Sequence, residues 1–139
     1  MLSLLTTSLA AYAPATRMAA MASLRVSPRS LVTAQMPPLP MHLEDLKESL
    51  ESGEAVLFDV REPNEHAMGM LADAVAAPLS ELQQGMCPRA DKSTLTYLHC
   101  AAGIRVYPAA DALQQMGFER VVPLQEGYAS LVQYGFEQK

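Results

Sequence analysis

The sequence predicts a single α/β domain, a central mostly parallel β-sheet flanked by helices on both faces. Three observations predict it. Short, largely apolar runs of β-forming residues recur at 55–60, 93–100 and 120–124, as in strands buried on both faces. Segments with apolar residues at helical spacing lie between them. Strands that alternate with helices join through right-handed crossovers into a parallel sheet. The 139-residue length allows one small domain, and a hydrophobic share of 50% supplies its core.

The elements follow in order. In "MHLEDLKESLESG", Met41, Leu43, Leu46 and Leu50 fall near helical spacing, and Gly53 stops the helix. "AVLFDV" (55–60) is a continuous apolar strand. "REPNEHAMG" starts polar, with Pro63 suited to a first helical turn. "AVAAPL" (74–79) is a short strand followed by a break, and "STLTYLHC" (93–100) is a β-rich strand. Residues 105–116 carry Val106, Ala109, Ala110, Leu113 and Met116 on one helical face, and Gly117 ends the run. Pro108 is tolerated in the first turn, where N–H groups lack intrahelical partners. "RVVPL" (120–124) is a further strand, and "EGYASLVQYGF" holds a last short helix.

The N-terminal segment stands apart. Met1 to Leu43 carries Arg17, Arg25 and Arg29 and no acid, is rich in Ser, Thr and Ala, and contains "MPPLP" near its end. That composition fits an organelle transit peptide. Its opening, "MLSLLTTSLAAYAPA", is apolar and then offers small residues, and the context of Tyr12, Ala13 and Pro14 resembles bipartite plastid leaders. The expectation is a targeting leader over 1–36 and a folded domain over 40–139. A plastid (chloroplast) address comes first and a mitochondrial one second.

Charge and cysteine usage narrow the function. The formal net charge of −5 divides into +3 up to Leu43 and −8 from Glu44 to Lys139. An acidic body disfavours nucleic acid, whose phosphates need a basic partner. No apolar stretch approaches the roughly 18 residues of a membrane span. Two cysteines, Cys87 and Cys100, make neither a disulfide framework nor a close zinc pair. A thiol beside a glycine-containing turn reads instead as a reactive group in a reducing compartment.

In open α/β sheets, sites form beyond the carboxyl ends of the strands. Asp59 and Cys100 both lie at such ends. Within "HCAAGIRVYP" (99–108), Cys100 ends a strand, "AAGI" turns, and Arg105 opens a helix. Ala101, Ala102, Gly103, Ile104 and Arg105 would turn backbone N–H groups toward the sulfur, a nest of amides over a helix N-terminus. An electropositive helix start favours thiolate over thiol. Arg105 adds a planar fork suited to oxyanions. The competing reading is an inert buried cysteine.

These residues resemble a family. "CAAGIR" is similar to the Cys-x-x-Gly-x-Arg active loop of single-domain rhodaneses, the thiosulfate and sulfane-sulfur transferases. "DVREPNE" (59–65) resembles that family's Asp-Val-Arg-Glu-Pro-x-Glu signature. The likeness runs from about Pro40 to the C-terminus. It departs at "GMLADA" (69–74), where the family has Gly-His-Ile-x-Gly-Ala, and at "LQEGYASL" (124–131), which keeps Leu124 and Gly127 but lacks the second glycine and the tryptophan.

The resemblance implies a rhodanese-like fold and a double displacement through a Cys100 persulfide, with no metal or organic cofactor. It also implies a small sulfur donor (thiosulfate or a persulfide) and a thiol or cyanide acceptor. A protein thiol such as thioredoxin is a further candidate partner. Two alternatives stay open: a non-catalytic rhodanese-like binding or regulatory module, and a phosphatase or arsenate reductase. Related phosphatase loops are Cys-x5-Arg, whereas this one is Cys-x4-Arg, one residue tighter.

Other polar residues read as supports. Asp59 and Arg61 are expected to orient the loop or a substrate from behind. His99 points to the opposite strand face from Cys100 and reads as buried or capping. Glu62, Glu65 and Glu126 read as a solvated acidic rim, and Cys87 as an exposed loop thiol. His42 and His66 carry no pattern.

Overall fold

The structure, a computed structural model, describes residues 37–139. The leader expected over 1–36 lies outside the described residues. Helix α1 (Met41–Glu51) follows the extended backbone of Pro40 and buries Leu43 and Leu46. Strand β1 (Ala55–Asp59) follows, buried at four of its five positions. Helix α2 (Pro63–His66) has Pro63 in its first turn and buries no side chain. Strand β2 is Ala74–Ala76, and helix α3 is Leu79–Gln83. Strand β3 (Leu95–Cys100) leads to helix α4 (Val106–Gln115). Strand β4 (Val121–Gly127) leads directly to helix α5 (Tyr128–Gln133).

The four strands pair in the order β2-β1-β3-β4, all parallel. The central pair, β1 and β3, reads as near-continuous apolar sequence because both of its faces are covered. On one face Phe58, Val60, Leu98 and Cys100 pack with Leu82 of α3 and Val106, Ala109 and Leu113 of α4. On the other, Leu57 and Tyr97 pack with Leu43 and Leu46 of α1 and Leu131 of α5. Truncating a fully buried leucine such as Leu57 or Leu98 to alanine would cost about 2–5 kcal/mol.

Two elements differ from the sequence expectation. Helix α3 is extra, a short turn of helix after Pro78. Strand β4 runs on to Gly127 instead of stopping at Leu124. The reason is an irregularity in pairing: Leu98 faces Pro123, but Cys100 faces Gly127. The extra residues of β4 bulge there, and the bulge carries the Gln125 backbone under the loop that follows Cys100. Among the described residues, no helix is long and apolar enough to cross a membrane.

Candidate functional site

Cys100 ends β3 at the carboxyl edge of the sheet, and its side chain is 1% exposed. Its Sγ accepts a hydrogen bond from the Gly103 N–H at 3.1 Å. The loop therefore curls back over the sulfur, as its small residues allow. Gly103 holds φ at +76°, and a Cβ there would collide with the Gln125 carbonyl. A side chain at Gly127 would overlap the Ala101 carbonyl in the same way. Two glycines thus let the loop and the β4 bulge meet backbone to backbone. Helix α4 starts directly after Arg105, with Pro108 in its first turn. Its unsatisfied N-terminal amides add positive potential beside the sulfur.

The Arg105 guanidinium is committed to a protein partner. Nη1 donates to Glu65 Oε2 at 2.6 Å and Nη2 to Oε1 at 2.8 Å, a bidentate pair across 40 residues of chain. The pair is partly open to water, with side chains 31% and 27% exposed. Hydrogen bonding from Arg105 holds the Glu65 carboxyl down at about 2, and the same contact raises the Arg105 guanidinium. Glu65 also accepts the Glu62 N–H at 3.0 Å, tying the pair to the start of α2.

The acidic rim expected from the sequence is therefore not a rim. Glu65 is the Arg105 partner. Glu62 accepts from the Ser80 hydroxyl at 2.7 Å, and Glu126 lies 2.7 Å from His42 Nε2. Each carboxylate found a partner distant in sequence, which a local reading cannot supply.

Asp59 and Arg61 form a buried pair on the sheet face away from Cys100. Asp59 stands in register with His99, so their side chains share a face, and Cys100, the next residue along β3, takes the other. Arg61 Nη2 donates to Asp59 Oδ2 at 2.7 Å and to the Gly69 carbonyl at 2.6 Å. Its guanidinium lies 4.0 Å from the Tyr128 ring centre. Burial opposes the Asp59 charge, yet the Arg61 hydrogen bonds keep its carboxyl below the usual range. These contacts fasten β1 to the 69–74 segment and to α5. His66 joins them, with Nε2 3.4 Å from Asp59 Oδ1.

His99 is fully buried and stacks on Tyr128. Among the described residues neither ring nitrogen has a hydrogen-bond partner. Burial pushes its pKa down to about 4, against the pull of Asp59 at 3.6 Å. Cys87 is exposed and free. Among the described residues no cluster of His, Cys, Asp or Glu is placed to hold a metal ion. A cavity of about 380 Å³ between α1 and β4 is lined by His42, Tyr97 and Glu126 and by neither cysteine.

Sequence reasoning missed Glu65, Gln125, Gly127 and Tyr128 as parts of this assembly. For Glu65 a signal existed: an acid inside the same short motif as Asp59 and Arg61, facing a chain with one arginine in its loop. For Gln125 none existed, since its backbone is what matters.

Comparison with known proteins gives a consistent pattern. The rhodanese-like domain family matches residues 42–133. A sulfurtransferase of Allochromatium vinosum is 35% identical over 95 residues, covering 66% of this chain and 86% of that protein. An uncharacterized Bacillus subtilis protein, YqhL, is 39% identical over 75 residues, and the match spans only 58% of its length. A rhodanese-like domain from Anabaena sp. superposes with a TM-score of 0.60 at 28% identity, covering 75% of this chain and 80% of that one. The human single-domain sulfurtransferase superposes with a TM-score of 0.58 at 24% identity, covering 66% and 92%, and speaks for the fold alone.

Proposed function

Because this chain belongs to the rhodanese-like domain family, we propose that it is a sulfurtransferase working through a Cys100 persulfide. The observation that carries the reading is the sulfur itself. Cys100 Sγ lies at a strand end, before a helix start, with a loop amide donating to it at 3.1 Å. The amide donor and the helix start both direct positive potential at the sulfur. The sulfurtransferase of Allochromatium vinosum to which the chain is 35% identical supports the same reading.

The reaction is a double displacement. The Cys100 thiolate attacks the outer sulfur of thiosulfate or of a persulfide donor. The donor S–S bond breaks, and sulfite or a thiolate leaves with the electron pair. The Gly103 N–H that meets Sγ at 3.1 Å supports stabilisation of the persulfide charge in the manner of an oxyanion hole, and the other amides from Ala101 to Arg105 are its expected partners. An acceptor thiolate or cyanide then attacks the outer sulfur, and the Cys100 thiolate returns. Thioredoxin is one acceptor that this chemistry permits. The acid-free, arginine-bearing composition up to Leu43 supports delivery to a plastid. Imaging residues 1–36 fused to a fluorescent protein tests that address.

The deciding experiment is intact mass after exposure to a sulfur donor. Either thiosulfate or cysteine persulfide should add one sulfur, about 32 Da, to Cys100, and cyanide should remove it. Cys100→Ser should abolish the adduct while circular dichroism and thermal unfolding stay unchanged. No adduct with either donor, or an adduct on Cys87 instead, would sink the reading and leave a binding module.

A further inference from the structure

The floor of the nucleophile loop is the stretch 125–127, and little holds it. Strand β4 lies at the edge of the sheet and pairs only with β3. That pairing lapses between Pro123 and Gly127, where the strand bulges. Yet the Gln125 backbone passes so close under Gly103, and Gly127 so close to the Ala101 carbonyl, that neither glycine could carry a side chain. On the side facing α1, a cavity of about 380 Å³ stands where packed side chains would otherwise brace the bulge. A polar contact links the two walls of that cavity: His42 Nε2 of α1 lies 2.7 Å from Glu126 Oε1. The Glu126 side chain is 18% exposed, and among the described residues its Oε2 is buried without a partner. A carboxylate free to rotate would turn that oxygen to water, because a buried, unpaired acceptor is costly. The side chain is therefore held in place, with His42 as its partner. Glu126 also belongs to this chain rather than to the family pattern: it stands where the resembled signature has a second glycine beside Gly127.

We propose that Glu126 and His42 form a strut that positions the nucleophile loop: the pair fixes the β4 bulge against α1, and the bulge fixes the Gly103 amide over the Cys100 sulfur. For its effect on rate this inference rests on the sulfurtransferase reading, which it deepens. Neither residue touches a sulfur; both are positioning residues. With the strut broken, the bulge relaxes toward the cavity and the loop above it follows. The Gly103 N–H then leaves its 3.1 Å contact with Sγ. A sulfur displaced from the amide that steadies its charge loses rate at the chemical step rather than in donor binding.

The test uses the full chain and two readouts. One is kcat and KM for sulfur transfer from thiosulfate and from cysteine persulfide to one acceptor. The other is the hydrogen-exchange rate of the buried Gly103 amide, measured by NMR. Glu126→Ala and His42→Ala should each lower kcat about tenfold with either donor and leave KM within about twofold. Each should also speed Gly103 exchange by about tenfold. The double variant should be no slower than either single one, because the two changes remove the same contact. Glu126→Gln keeps an acceptor for the His42 N–H and should retain most of the rate. Asp45→Asn removes a charge from the same cavity without touching the strut, and it should match the wild type. Thermal midpoints should move little, since a pair with one partner half open to water adds little stability.

A lower thermal midpoint with kcat and Gly103 exchange unchanged would make the pair a brace for α1 alone and overturn the proposal. So would losses that multiply in the double variant, because His42 and Glu126 would then act separately. An equal loss in Asp45→Asn would trace the effect to charge in the cavity and overturn it too. A wild type that takes sulfur from neither donor would sink the sulfurtransferase reading, and Gly103 exchange in the same variants would still decide for or against the strut.

Discussion

A proton on His99 would be a charge sealed inside the molecule. The ring is fully buried, and burial pushes its pKa down to about 4 although Asp59 lies only 3.6 Å away. In the unfolded chain the same group titrates near 6.5. Between those values the unfolded state binds more protons, so stability rises with pH across that window and falls as pH drops from about 6.5 toward 4. Glu65 works in a lower window. Its carboxyl is held at about 2 by Arg105, so its contribution is complete above about 4.5 and is lost as pH falls toward 2. The wild type should therefore lose stability on the order of 2–3 kcal/mol between pH 7 and 4 through His99. Urea midpoints measured across that range check the slope. His99→Leu should flatten the upper part and leave the lower part in place. An upper slope that persists in the variant would assign it to another group.

The contact between the Cys100 loop and the β4 bulge is made without side chains, and that is its weak point. Gly127→Ala would drive a Cβ into the Ala101 carbonyl, and Gly103→Ala would drive one into Gln125 while also straining a φ of +76°. Either should displace the loop by about 1 Å and reduce sulfur transfer by about 10²-fold. Gly53→Ala is the control. It has the same kind of backbone, φ +79°, but nothing within 4 Å of the added Cβ. It should lose about 1–2 kcal/mol of stability, the left-handed penalty for an L-residue, and no activity. Activity lost equally in all three would mean that backbone strain, not collision at the loop, is responsible. These contacts also mark where sequence reading stops. The β1 and β3 strands are legible because burial on both faces leaves a continuous apolar run, and α4 because Val106, Ala109, Ala110 and Leu113 repeat at helical spacing. The Cys100 loop is legible because small residues and an arginine stand together. The β4 bulge is not, since pairing Cys100 with Gly127 depends on where another strand ends. The Glu65–Arg105 pair joins residues 40 positions apart and leaves no periodic trace, so its one signal is an acid inside the same short motif as Asp59 and Arg61.

For an anionic donor, the described domain presents an obstacle spread over its whole surface. Glu44 to Lys139 carries a formal charge of −8, and the two arginines nearest the nucleophile segments are paired. A net negative field repels a dianion on approach, and ions in solution screen that repulsion, with a Debye length falling from about 30 Å at 0.01 M salt to about 10 Å at 0.1 M. A site steered by free cations behaves in the opposite way: added salt slows the arrival of its anionic substrate. The sign of the salt dependence therefore reports which field the donor feels. For thiosulfate, kcat/KM should rise about threefold between 0.01 and 0.2 M potassium chloride, since steering effects of this kind span about tenfold and upward. Cysteine persulfide is zwitterionic at its amino-acid end and carries at most one further charge, so its rate should change by less than half as much. Measuring both donors in one salt series removes general effects on the protein. A thiosulfate rate that falls with salt would place an unpaired cation in control at the loop, and the neutral Glu65–Arg105 pair would then not be what an incoming donor meets.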